Sequence, residues 1–312
     1  MFPRAVNRPR GYWLRLARAF VLALALALFA LPFGAGLLSA WSLTRIPCFP
    51  GVSPDTWGMA YEDVSFPSTR GITQRGYFIP GDQRATVMIV PAFNLGRGAE
   101  LHYADVFHRA GFNVLTYNSR VCTSQGWMSL GYQEAEDVAA AYEYLRSRPD
   151  VDPLRVGLHG YSAGGAAALM AMPRLPAVGS VSAEGGYHDY AAMLGLGSAV
   201  TFFDSLFQTG VVLGYRLVTG DDVSVLSPLA AIRQIGARPV LLIYGSREIS
   251  LSGARVMLQE ARAHGVPAEL WVVEGADHGD YLAVARQEFE RRVVAFHRRA
   301  LLDTVDREVV AP

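Results

Sequence analysis

The stretch from Arg155 to Met170 constrains this chain more than any other. A short β-type run, Arg155 to His159, leads directly into Gly160-Tyr161-Ser162-Ala163-Gly164, and small residues follow through Ala166, Ala167 and Ala168 to Met170. A strand that turns at once into a helix leaves one hydroxyl standing at the tip. The turn brings the backbone so close to its neighbours that only glycine fits two places before and after the serine. The helix that starts there aims free N–H groups and a positive dipole end at negative charge forming beside the serine. GxSxG alone arises by chance; a strand before it and a small-residue helix after it supply the context that gives it meaning. Ser162 is therefore the candidate nucleophile, set against a Gly-rich turn with no chemistry.

The rest of the chain alternates in the same manner. Val64–Phe66 and Gly76–Ile79 read as an opening hairpin across Arg70-Gly71, and Thr86–Val90 as a continuous apolar strand of the buried type. Leu101–Ala110 reads as a helix closed by Gly111, and Phe112–Tyr117 as the next strand. Tyr132–Arg146 is helical, with Glu134 and Glu136 early and Arg146 late, as the helix dipole favours. Ser180–Ala183, Pro239–Tyr244 and Glu269–Val273 read as strands, with helices over Arg255–His264 and Tyr281–Leu302. Strands and helices alternating at this spacing predict an α/β fold: a doubly wound, mostly parallel sheet with helices on both faces.

His278 lies in Gly275-Ala276-Asp277-His278-Gly279, just past the last strand. A serine hydroxyl attacks poorly until an imidazole takes its proton, so His278 is the candidate general base, against a loop histidine with a structural bond. His102, His108, His159, His188, His264 and His297 have no comparable setting, and His159, inside the nucleophile strand, reads as packed. Asp277 and Asp280 read as loop solvation, and Tyr161 as a packing residue.

With these residues in hand, the chain from Tyr61 to Arg299 resembles the α/β-hydrolase superfamily, and within it the serine aminopeptidase-like and dienelactone-hydrolase-like branches. "PVLLIYGSRE" looks like the strand and turn that carry the acid, and "VVEGADHGDYL" like the histidine loop. "AGFNVLTYNSRVCTSQG" resembles the segment after the oxyanion strand, and "SPLAAIRQI" the approach to the acid strand. Candidates stand in the family's chain order of serine, acid, histidine. The resemblance implies an aspartate three residues after Gly245, where this chain has Glu248. A glutamate can orient an imidazole as well, so Glu248 is the expected acid, with Glu184 and Asp189 as spare candidates. The implied oxyanion hole uses the backbone N–H of Ala163 and that of Phe93, in the turn after Thr86–Val90. Relatives commonly carry His-Gly in that turn, and this chain has Pro91-Ala92.

The N-terminus differs from everything else. Arg4, Arg8, Arg10, Arg15 and Arg18 precede an uncharged run from Ala19 to Trp41. As a helix that run reaches about 34 Å, enough to cross a bilayer core. Arginines on its N-terminal side predict a cytoplasmic N-terminus and an extracytoplasmic domain. A cleaved signal peptide with a core from Ala19 to Leu31 is the competing reading, and it would leave the domain secreted.

The expected organisation is a basic N-terminus (1–18), a membrane anchor (19–41), a linker (42–55), a hydrolase domain (56–302) with a helical lid (about 187–227), and a tail (303–312). Between Ala191 and Asp222 only Asp204, Arg216, Asp221 and Asp222 are charged. Part of that apolar surface is expected to line a pocket for an apolar acyl group.

The 28 basic and 28 acidic side chains among 312 residues give no electrostatic case for nucleic acid. No CxxC or HExxH pattern occurs and the seven histidines do not cluster, so neither metal nor organic cofactor is expected. Cys48 and Cys122 could pair in an oxidising compartment, but nothing in the sequence makes them adjacent, and two unpaired small hydrophobes are expected. The expected activity is hydrolysis of an acyl compound through a covalent acyl-enzyme, with a small acyl molecule as substrate. Carboxylic ester is the first substrate class and peptide or amide the second. A silent hydrolase-fold binding module is the remaining alternative.

Overall fold

The computed structural model describes residues 10–124, 126–194 and 201–303. In chain order the strands are β1 (Phe49–Gly51), β2 (Glu62–Pro67), β3 (Thr73–Ile79), β4 (Thr86–Val90), β5 (Leu95–Gly98), β6 (Asn113–Tyr117), β7 (Val156–Tyr161), β8 (Ser180–Glu184), β9 (Val240–Gly245) and β10 (Ala268–Val273). The helices are α1 (Arg10–Leu43), α2 (Leu101–Arg109), α3 (Glu134–Arg146), α4 (Ala163–Ala171), α5 (Tyr190–Met193), α6 (Phe202–Thr219), α7 (Pro228–Ile232), α8 (Leu251–Ala263), α9 (Tyr281–Val284) and α10 (Arg286–Leu301).

Eight strands form one sheet in the order β10-β9-β8-β7-β4-β6-β3-β2. The six from β10 to β6 are parallel, and β3 and β2 extend the sheet antiparallel. The central strands are buried along their whole length, because helices cover both faces. Alternate residues of β4 therefore enter different cores. Met88 and Val90 pack with Val138, Leu145 and Leu169, while Val87 and Ile89 pack with Phe107, Phe289 and Val293. Edge strand β2 buries only Val64 and Phe66, in alternation. The opening hairpin turns where expected, with Arg70 and Gly71 both at positive φ.

Several expectations need correction. Residues 42–55 are not a free linker: β1 lies within them and pairs with β5, Phe49 opposite Leu95. Ser119 N–H donates to Leu95 C=O at 2.9 Å, which holds the turn bearing Cys122 against β5. Cys48 and Cys122 are thereby brought to a Cα–Cα distance of 5.0 Å and form a disulfide, contrary to the expectation of unpaired thiols. The last helix is two, since Ala285 (φ −133°, ψ 43°) breaks α9 from α10. α8 starts at Leu251, four residues ahead of its expected start.

Helices α1 and α6 form a compact unit apart from the hydrolase domain. The run Ala19–Trp41 lies within α1, which continues through Pro32 and is apolar and long enough to cross a membrane. The stretch expected to be one lid is thus divided. α5 belongs with the hydrolase domain, whereas α6 packs along α1. Residues 1–9, 195–200 and 304–312 of the expected N-terminus, lid and tail lie outside the described residues.

Candidate active site

Strand β7 runs into α4 through Ser162, whose backbone stands at φ 53°, ψ −121°, in a region a side chain seldom adopts. The flanking glycines explain how the turn closes. A Cβ on Gly164 would lie 2.1 Å from the Val90 carbonyl oxygen, and one on Gly160 would lie 2.5 Å from the carbonyl of Gly164. Ser162 N–H donates to Glu184 C=O at 2.6 Å, which ties the turn to the end of β8.

The loop after β10 carries His278 to this hydroxyl. His278 Nε2 lies 3.0 Å from Ser162 Oγ, and its Nδ1 lies 2.8 Å from Oε1 of Glu248 on the turn after β9. The three side chains form one hydrogen-bonded line. Glu248 also accepts from Ser250 Oγ, from Tyr281 OH at 2.7 Å and from Gly245 N–H at 3.0 Å. Burial pushes its carboxyl up, yet these bonds and the one from His278 outweigh burial and hold it below the usual glutamate range. Tyr281, buried with its hydroxyl on that carboxylate, stays protonated far above the usual tyrosine range. Asp277 accepts from His278 N–H at 2.8 Å and Asp280 from Asp277 N–H at 2.7 Å, so both order the histidine loop. Tyr161 lays its ring 5.1 Å from that of His278, and burial pushes its hydroxyl up to about 12.

The spare carboxylates are engaged elsewhere. Glu184 is fully buried, 3.0 Å from His159 Nε2, and accepts from Tyr103 OH at 2.7 Å. Asp189 caps α5 by accepting from Ala192 N–H at 2.7 Å. The first α4 bond runs from Ala166 N–H to Ser162 C=O, so Ala163 N–H is among the helix-start amides with no helical partner. The turn holding Phe93 abuts this point, since Gly164 sits against Val90 and Pro91. Among the described residues no cluster of His, Cys, Asp or Glu is arranged to hold a metal ion.

Three contributors were missed from the sequence. Tyr281 and Ser250 bond Glu248, and their spacing, three residues after the histidine and two after the acid, was the available signal. Gly185 (φ 60°) was the third. A Cβ there would lie 2.3 Å from Tyr281 OH, 2.7 Å from His278 Nδ1 and 2.9 Å from Glu248 Oε1.

A mostly parallel sheet with a serine on a strained strand-to-helix turn defines an α/β-hydrolase. Residues 102–304 match the model of the prolyl oligopeptidase family, and the chain belongs to that family. It is 33% identical over 116 residues to thiohydrolase apmlB of Arthrinium phaeospermum, a match spanning 35% of this chain and 38% of that protein. It is 26% identical over 267 residues to the uncharacterized protein Rv2307c of Mycobacterium tuberculosis, covering 81% of this chain and 87% of that one. In fold it matches the Pyrococcus furiosus esterase Pf2001 with a TM-score of 0.65 at 21% identity, over 82% of this chain and 99% of the esterase. The family is shown by the match over residues 102–304, and the fold by the likeness to the esterase structure.

Proposed function

We propose that the chain is a serine hydrolase acting through an acyl-enzyme. One observation carries this reading: His278 stands 3.0 Å from Ser162 Oγ on one nitrogen and 2.8 Å from Glu248 on the other. With Glu248 accepting from Nδ1–H, Nε2 is free of hydrogen and takes the Ser162 proton as Oγ attacks the substrate carbonyl. The resulting oxyanion accepts from the N–H groups of Phe93 and Ala163. The imidazolium returns its proton to the leaving group. A water then repeats the cycle on the acyl-enzyme.

The first substrate class is a carboxylic ester with an apolar acyl group. The carboxylates on the site loops support it: Glu248, Glu184, Asp189, Asp277 and Asp280 all accept bonds within the protein. Each already carries an internal hydrogen bond, and a substrate ammonium buried without a carboxylate of its own is expensive. The relative named thiohydrolase apmlB is in keeping with a hydrolytic reading. Membership of the prolyl oligopeptidase family favours a second reading, a peptidase.

Fluorophosphonate should label the parent protein and not Ser162→Ala, and that variant should lose ester hydrolysis by several orders of magnitude with its fold intact. Near-parental hydrolysis by Ser162→Ala would refute the nucleophile. Nitrophenyl esters of increasing chain length should gain roughly fourfold in kcat/KM per methylene, at about 0.8 kcal/mol each. A flat series with efficient cleavage of aminoacyl nitroanilides would establish the peptidase reading.

We further propose that α1 anchors the chain in a membrane with the hydrolase domain on the extracytoplasmic side. The arginines before the apolar run and the Cys48–Cys122 disulfide support it. Protease added outside an intact inner membrane should digest residues beyond Trp41, and full protection until that membrane is lysed would refute the orientation.

A further inference from the structure

We infer that α6 is a second membrane-embedded element, a helix that dips into one leaflet beside α1. The inference rests on reading α1 as a membrane span. Three glycines bring the two backbones together. A Cβ on Gly36 would lie 2.1 Å from Phe207 C=O, one on Gly210 2.2 Å from Phe33 C=O, and one on Gly214 2.6 Å from Ala40 Cβ. Gly210 and Gly214 stand four residues apart on α6, as Gly36 and Ala40 do on α1. This small-xxx-small spacing lets helices approach closely where apolar side chains gain nothing by leaving their solvent. Phe29 meets Phe202, Gly36 meets Gly210 and Ala40 meets Gly214, so the helices run in the same direction.

The outward face of the pair is the second observation. A helix packed in water turns polar residues outward. α6 instead exposes Phe202, Phe203, Leu213 and Leu217, the last at 72%. They continue the exposed apolar surface of α1, which includes Leu26, Phe29 and Leu31. Two exposed hydroxyls of α6 bond back to the preceding turn: Thr209 Oγ1–H donates to Ser205 C=O at 2.7 Å and Ser205 Oγ–H to Thr201 C=O at 3.2 Å. Hydroxyls bonded back to the preceding turn need no water.

Length and charge fix the depth. No charged residue lies between Asp204 and Arg216. At 1.5 Å per residue those eleven positions span about 16 Å, roughly half of a 30 Å hydrocarbon core. Phe29, the partner of Phe202, lies about 15 Å into the run that begins at Ala19, near the midplane. Arg216, at the outer end, pairs with Asp222 at 2.8 Å. Asp204, at the deep end, accepts from Thr201 N–H and Thr201 Oγ1, so its carboxylate is spent on closing the helix start. The occupant of the exposed α6 face is therefore lipid acyl chain, in the leaflet that holds the C-terminal half of α1.

The test uses the full-length chain in phosphatidylcholine–phosphatidylglycerol nanodiscs. Because Cys48 and Cys122 are paired, single cysteines can be introduced as L24C on α1, F203C and L217C on α6, and L154C on the hydrolase domain, each carrying an environment-sensitive fluorophore. Lipids with a nitroxide midway along the acyl chain should quench probes at 24 and 203 at least threefold more than at 154. A shallow nitroxide should quench best at 217. Quenching at 24 with none at 203 and 217 would leave α1 a span and overturn the assignment of α6. An α6 probe shielded from water yet unquenched by lipid would also overturn it, since a second copy of the chain would then cover the face. Quenching at neither 24 nor 203 would refute the membrane anchor itself.

Discussion

Replacing Gly185 by alanine puts a methyl group into the closest part of the site. The added Cβ would lie 2.3 Å from Tyr281 OH, 2.7 Å from His278 Nδ1 and 2.9 Å from Glu248 Oε1. Carbon and oxygen approach comfortably to about 3.3 Å, so the tyrosine must retreat by roughly 1 Å and the acid and imidazole by about half that. A misplacement of about 1 Å costs about 10²-fold in rate even when it arises outside the reacting atoms, and here it falls on the tyrosine that holds the acid. The backbone adds its own penalty, because Gly185 sits at φ 60° and a side chain in the left-handed region costs about 1–2 kcal/mol. Gly185→Ala is thus expected to lose about 10²-fold in kcat on a nitrophenyl ester, with a far smaller change in KM. Its Tm should fall by about 2–8 °C, at 2–4 °C per kcal/mol for a domain of this size. Initial rates and thermal denaturation of one preparation separate the two effects. A kcat within about threefold of the parent, or a loss wholly matched by the unfolded fraction, would show that the crowding around His278 and Glu248 does not set the rate.

Glu248→Gln should cut kcat by about 10³-fold or more, because Nδ1–H loses the carboxylate that fixes its tautomer. Glu184→Gln should leave kcat per folded molecule within about tenfold, and the reverse pattern would mean that the wrong carboxylate faces the imidazole. A stability measurement against pH tests Glu100, which burial first and the Glu184 charge second push up to about 8. Its folded value lies above the unfolded one, so the unfolded chain gives up the proton first and stability falls as pH rises from about 4.5 to 8. Glu100→Gln, which cannot ionise, should have a Tm advantage over the parent that grows across that window, and parallel Tm–pH curves would refute the buried neutral acid.

What the sequence disclosed depended on how local each signal was. Thr86–Val90 and Pro239–Tyr244 read as buried strands because both faces are covered, and the strand-to-helix turn at Ser162 announced itself through its own glycines. β1 is three residues long and β5 is Leu-Gly-Arg-Gly, so neither carries a periodicity to detect. Their pairing is what brings Cys48 to Cys122, across 74 residues of sequence. The partner of α6 was equally hidden. Part of its apolar surface reads as the lining of a pocket, whereas its glycines, spaced four apart, face α1. Glu248 could be placed only by resemblance, and what holds its carboxylate beside the imidazole, the bonds from Tyr281, Ser250 and Gly245, comes from two different loops.

The strain at Ser162 bears on how the proposed nucleophile and the proposed oxyanion amides depend on one another. A side chain held at φ 53° costs about 1–3 kcal/mol and persists only if its surroundings allow no alternative. Ser162 is bound on both sides: its N–H donates to Glu184 C=O, and its C=O accepts from Ala166 N–H. Below it, His159 bonds Ser182 and Ser182 bonds His297, a fully buried polar layer that links β7, β8 and α10. The remaining support is steric. Gly164 presses on the Val90 carbonyl at the end of β4, and β4 leads straight through Pro91 and Ala92 to Phe93. Any side chain at 164 would have to push that carbonyl away by more than 1 Å to restore an ordinary contact of about 3.3 Å. The push would move the end of β4, and with it the turn that carries Phe93, one of the proposed donors. One glycine contact therefore bears both on the turn that exposes the hydroxyl and on the strand end that leads to one of the two proposed donors.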